Sequence, residues 1–130
     1  MRTTLHARGP QPADAVWERY AVPARWPEWA PYITGVDCSD ARIRRGSLGR
    51  VRGPLGVTVA FTVTAVDEAT ATWSWDVRLG PLALSLDHGV RPSGGGTRTW
   101  LTVHGPAALV LPYLVPARVS LEMLVRRPVS

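Results

Sequence analysis

The chain contains no lysine and no asparagine, a single cysteine, and no uninterrupted apolar run long enough to cross a bilayer. Each shortage narrows the field. Cys38 alone cannot form an internal disulfide, so the fold must rest on its core. The longest apolar stretch, Ala107 to Ala117, is interrupted by Pro112 and Pro116 and falls short of the ~20 residues a span needs, so no membrane span is expected. No apolar segment of secretory type follows Arg2, which sets the expectation of a cytoplasmic protein. Cys38, His6, His88 and His104 are scattered, with no pair at metal-ligand spacing, so no metal site is expected. The Gly94-Gly95-Gly96 loop lacks the Lys-Ser/Thr and the helix of a phosphate cradle and reads as a hairpin turn. No Gly-x-Ser-x-Gly elbow occurs and Cys38 has no nucleophile motif around it. Nothing implies a cofactor.

What is present describes one globular domain spanning residues 1–130. With 130 residues, 45% hydrophobic and 19% charged, the chain can bury roughly two-thirds of its unfolded surface without staples. A net charge of +5 raises the question of an acidic partner. All fifteen basic residues are arginine and they look dispersed, in a sequence rich in Ala, Gly, Pro and Val, which suggests GC-rich coding more than selection for phosphate contacts. The densest group, Arg42, Arg44, Arg45, Arg50 and Arg52, reads as a solvated strand edge or loop. No reading helix or aromatic strip accompanies the arginines, so no nucleic-acid partner is expected.

Periodicity supplies the architecture. Met1 to Arg8 alternates weakly, with Thr3, Leu5 and Ala7 on one side, and serves as a first strand before Gly9-Pro10. Pro12 and Asp14 then suit a helix start, followed at helical spacing by Ala15, Val16, Arg19 and Tyr20 and ended near Val22-Pro23. Pro23, Pro27 and Pro31 restrict the next segment to a short helix or turn, an aromatic connector holding Trp26, Trp29 and Tyr32. From Gly35 to His104 the period becomes two, with turn residues roughly every ten positions, as in a run of antiparallel hairpins. Val57, Val59, Phe61 and Val63 share one face; so do Trp73, Trp75, Val77 and Leu79; so do Leu82, Leu84, Leu86, His88 and Val90; so do Thr99, Leu101 and Val103. After Gly105-Pro106, residues 107 to 126 carry a helical apolar stripe that includes Val110, Leu114, Ala117, Leu121 and Leu124, with Pro112 and Pro116 expected to bend the helix or delay its start. This order predicts an α+β fold in which a curved antiparallel sheet of about seven strands wraps a long carboxyl-terminal helix.

Three runs carry a resemblance: Pro12-Ala13-Asp14-Ala15-Val16-Trp17-Glu18, Arg25-Trp26-Pro27-Glu28-Trp29-Ala30-Pro31-Tyr32-Ile33, and Gly46-Ser47-Leu48-Gly49. Trp73-Ser74-Trp75, His88 late in a strand, Gly96-Thr97-Arg98 and the Gly105-Pro106 helix entry extend it over essentially the whole chain. The sequence resembles the START-like (SRPBCC) superfamily, in particular its bacterial polyketide cyclase/dehydrase-like branch. That resemblance implies a helix-grip fold enclosing a cavity, without fixing an activity, because the superfamily includes cyclases, lipid carriers and hormone receptors.

On that architecture Trp29, Tyr32, Trp73, Trp75, Leu86, Leu101 and Leu114 are expected to line a ligand cavity, against the plain alternative that they fill the core. Three residues are candidates for catalysis. His88 is the one ionisable residue on an apolar strand face, a candidate general acid or base unless it is simply a hydrogen-bonded core histidine. Tyr113 is placed to offer a hydrogen bond to a ligand oxygen. Arg50, or Arg52 beside it, has a role resembling that of interior arginines in polyketide cyclases if one points inward, and a surface role otherwise. Two functions compete: a cofactor-independent enzyme that cyclises or dehydrates a polyketide-type substrate, and a non-catalytic carrier or binder of a lipid, quinone or similar apolar ligand. Both make a hydrophobic small molecule the partner; neither fixes the oligomeric state.

Overall fold

A computed structural model describes residues 1–128. Strand β1 (Arg2–Gly9) buries Leu5 and Ala7 and leaves the alternate residues outside, as its weak alternation requires. Helix α1 (Ala13–Ala21) begins after Pro12, has Asp14 in its first turn, and buries Val16, Trp17, Arg19 and Tyr20. A 3-10 turn (Pro23–Arg25) leads into α2 (Trp26–Trp29), short because the prolines permit nothing longer. Strands β2 (Gly35–Cys38), β3 (Leu48–Arg52), β4 (Thr58–Asp67), β5 (Thr72–Leu79), β6 (Leu82–Ser93) and β7 (Gly96–His104) follow, and α3 (Ala107–Arg126) closes the chain.

The seven strands form one antiparallel sheet in the order β1-β7-β6-β5-β4-β3-β2, so the first strand returns to pair with the last. The helix-grip architecture is therefore present, with a curved sheet around α3. Val51, Phe61, Val63, Trp73, Trp75, Leu86, His88, Leu101 and Val103 are all buried, which puts one apolar face on the inside of five successive strands. A register shift between Val63 and Ala65 transfers the inward position from residue 65 to Val66. Val57 departs from the sequence reading. It lies just before β4, beside a Leu55 in the left-handed region at φ 59°, and is half exposed at the rim.

Helix α3 spans the residues expected of it, without the late start that its prolines allowed. It starts at Ala107 and runs through Pro112 and Pro116 for 20 residues, because each proline removes a donor yet keeps a helical φ. By length and composition it is long and apolar enough to cross a membrane. Here it is a core helix, packed against β1, β7, α1 and α2. Its carboxyl-terminal end is fastened by a residue whose role the sequence conceals. Arg19, 1% exposed, donates from its guanidinium to the carbonyls of Leu124 at 2.8 Å and Pro128 at 2.9 Å, groups that a helix end would otherwise leave unpaired. Gly9 is required at the same junction: a Cβ there would lie 2.2 Å from the Val125 carbonyl oxygen.

Candidate functional site

Between the inner face of the sheet and α3 lies a cavity of about 400 Å³, within the range that holds small-molecule ligands. The strands contribute Val51, Val59, Trp73, Trp75, Val77, Leu79, Leu84, Leu86, His88 and Leu101 through their inward parity. The aromatic connector adds Trp26, Trp29, Ala30, Tyr32 and Ile33, and α3 adds Leu109, Pro112, Tyr113, Pro116, Ala117, Ser120 and Leu121 along one face. Among the described residues no carboxylate and no guanidinium lines it.

Six of the seven residues expected to bind ligand come together here: Trp29, Tyr32, Trp73, Trp75, Leu86 and Leu101. Leu114 does not. It lies one helical step, about 100°, past Tyr113, beyond the edge of the cavity-facing stripe, and packs half-buried against the core. The expectation for Arg50 is likewise corrected. Val51 is the inward residue of β3, so Arg50 and Arg52 both face outward by parity. Arg50 is exposed, and Arg52 pairs with Asp37 on the outer surface. Leu109, Pro112 and Pro116 also line the cavity, positions that the apolar stripe of α3 alone does not single out. Trp26 was legible as part of the connector, but nothing in its spacing told which of the connector's aromatics faces inward.

The aromatic wall is a continuous assembly. Trp26 stacks on Trp73 at 5.7 Å and meets Trp75 edge-on at 5.1 Å, and Phe61 meets Trp75 at 5.2 Å. Tyr20 closes it from below, 5.3 Å from Trp29 and 5.0 Å from His88. Most of the polar edges are satisfied within the wall. Trp26 Nε1 donates to the Tyr20 carbonyl at 2.9 Å, Trp29 Nε1 to the Arg19 carbonyl at 3.0 Å, and Tyr20 shares a 2.9 Å hydrogen bond with Thr99.

His88 is 5% exposed, stacked on Trp73 at 4.5 Å with 10° between the planes, and its Nε2 accepts from Trp75 Nε1 at 3.0 Å. Burial without a carboxylate partner pushes its pKa down to about 3. The imidazole is thus neutral at pH 7, and its one basic nitrogen is already occupied by an indole proton. Tyr113 has its pKa pushed up to about 12 by burial, so it is a neutral hydroxyl throughout the physiological range. It makes no hydrogen bond among the described residues. The site can therefore bury apolar surface, stack flat rings and offer a few neutral hydrogen-bond donors.

Known proteins share this frame. A family model described as polyketide cyclase / dehydrase and lipid transport matches residues 4–126. None of the curated proteins matches the chain by sequence. Among solved structures, Ara h 8.0201 superposes with a TM-score of 0.76 at 16% identity over 95% of this chain and 94% of that one. The protein XoxI from Bacillus cereus gives 0.80 at 12% identity over 95% and 92%. The di-domain ARO/CYC BexL from the BE-7585A biosynthetic pathway gives 0.79 at 19% identity, over 96% of this chain and 45% of that one. At such identities the likeness is one of fold.

Proposed function

The chain belongs to the polyketide cyclase / dehydrase and lipid transport family, and on that premise we propose that it binds a flat, hydrophobic small molecule between the sheet and α3 as a carrier or binding protein. The observation that supports this reading most directly is the lining itself. A cavity of about 400 Å³ whose ionisable members are a histidine held neutral and tyrosines has what apolar binding needs and little that moves protons at neutral pH.

Cofactor-free cyclisation or dehydration of a polyketide-type substrate is the second reading, favoured by family membership and by the unpartnered Tyr113 hydroxyl on the cavity wall. Under it, orientation in the cavity does most of the work and Tyr113 steadies a developing oxyanion. Titration with Nile red, followed by emission, tests the first reading: one-to-one saturable binding is expected, and its absence overturns it. Incubation with a linear poly-β-ketone separates the second: Tyr113→Phe should lower cyclisation with little change in Nile red affinity, whereas no turnover by the unaltered protein leaves the carrier alone.

A further inference from the structure

Four of the lining side chains are indoles, and three of them have hydrogen-bond partners: Trp26 and Trp29 on backbone carbonyls, Trp75 on His88. Trp73 Nε1 is fully buried and has none among the described residues. Its neighbour repeats the pattern. An indole N–H can only donate, so the bond from Trp75 makes His88 Nε2 an acceptor and places the imidazole proton on Nδ1. That Nδ1–H is also buried without a partner among the described residues. Trp73 and His88 oppose each other across β5 and β6 with their rings stacked, so two orphaned donors occupy adjacent places in one wall. Buried donors are nearly always paired, and two adjacent exceptions in a cavity lining call for a partner.

Resting on the reading that the cavity holds an apolar molecule, we propose that this molecule carries a neutral carbonyl-type oxygen, a ketone, quinone or ester, accepted by the wall through His88 Nδ1–H and Trp73 Nε1–H. Acceptor lone pairs are the complement of two donors, and a carbonyl oxygen has two. A hydrocarbon leaves both donors unpaired. A carboxylate would bury a charge where no cation among the described residues lines the cavity. A hydroxyl brings one more donor to a wall already short of acceptors. Both nitrogens are covered by neighbouring atoms, so binding through them requires the stacked pair to turn until their N–H groups face the ligand. His88 then acts as a fixed hydrogen-bond donor that selects the ligand, not as an acid or base.

Fluorene and 9-fluorenone differ only by a CH2 group against a carbonyl, and both are flat, neutral and unreactive. Equilibrium dialysis of the pair against the unaltered protein should show fluorenone binding on the order of tenfold more tightly, as one well-placed hydrogen bond gives. His88→Phe and Trp73→Phe should each shrink the ratio of fluorenone to fluorene affinity, whatever each does to the binding of fluorene itself. Proton-nitrogen NMR of the unaltered protein gives a second readout that needs no variant: the Trp73 indole N–H resonance should move downfield with fluorenone and hold its place with fluorene. Equal affinity for the two, or a preference that survives both substitutions, overturns the carbonyl inference and leaves the apolar cavity standing. Failure of both compounds to bind sinks the cavity reading and this inference with it.

Discussion

The two halves of α3 are built to different rules. Toward its carboxyl end the helix is packed most completely: Ala117, Leu121, Leu124 and Val125 are at most 2% exposed even though Ala117, Ser120 and Leu121 still border the cavity, Arg19 holds the terminal carbonyls, and Gln11 donates its backbone N–H to the Val125 carbonyl. Before Ala117 the helix is a wall with space on one side and solvent on the other. Pro112, Tyr113 and Pro116 face the cavity while Leu111 and Val115 are 54% and 68% exposed, and only Val110 is fully buried. Stability is concentrated where packing is complete, and ligand space is found where the chain gives packing up.

The largest effect is expected where the cavity wall is itself packed. Trp75 touches Trp26, Phe61 and His88 and is 8% exposed. Trp75→Ala should lower stability by about 3–5 kcal/mol in thermal or denaturant melts, as emptying a large aromatic site does. A loss below about 1 kcal/mol would mean the wall is loose throughout.

Acid should come next. The unfolded chain takes up a proton on His88 near its ordinary pKa of 6.5, which the folded chain refuses until about pH 3. Stability contributed by the neutral, buried ring is therefore complete above about pH 6.5 and is lost as the pH falls toward 3. Between about pH 6 and pH 4 the loss should be roughly 2–3 kcal/mol, and His88→Phe should flatten that slope while preserving the fold. An unchanged slope in the variant would assign the acid sensitivity elsewhere.

A pair of leucines sharpens the contrast between packed and hollow regions. Leu124→Ala at the solid end should cost about 3 kcal/mol, and Leu84→Ala beside the cavity about 1 kcal/mol, since its neighbours already border space. Equal losses would erase the distinction. Pro116→Ala is the smallest change. It restores a backbone donor toward the Pro112 carbonyl and should shift stability by about 1 kcal/mol or less, yet slow amide exchange in the first half of α3 more than in the second.

The strands were legible because a period of two admits one inside face, and His88 followed its leucine neighbours into it. The same parity excludes Arg50 and Arg52 from the interior once Val51 is inside, which leaves them the surface role. Arg19 was not legible. It sits on an ordinary amphipathic stripe, and its partners, Leu124 on α3 and Pro128 just past it, lie 105 and 109 positions away. The arginines were also less dispersed than their spacing implies. Arg8, Arg98 and Arg91 stand side by side on the outer face of β1, β7 and β6, an alignment that only strand register reveals. Beside them Trp100 lies flat across Gly89, where a Cβ would approach the indole to 1.9 Å.

The pairing of β1 with β7 also governs the order in which the protein can assemble. During synthesis the amino-terminal strand emerges first, but its hydrogen-bonding partner is made roughly ninety to a hundred residues later, on the order of 5–20 s at ordinary translation rates. Throughout that interval β2 to β6 can grow hairpin by hairpin through local contacts, while Leu5 and Ala7 have nothing to pack on and α3 does not yet exist. The closing contacts of the fold, β1 on β7 and on α3, are thus those of large sequence separation, and the nascent chain carries an open sheet edge and an uncovered aromatic face until its final fifth has left the ribosome.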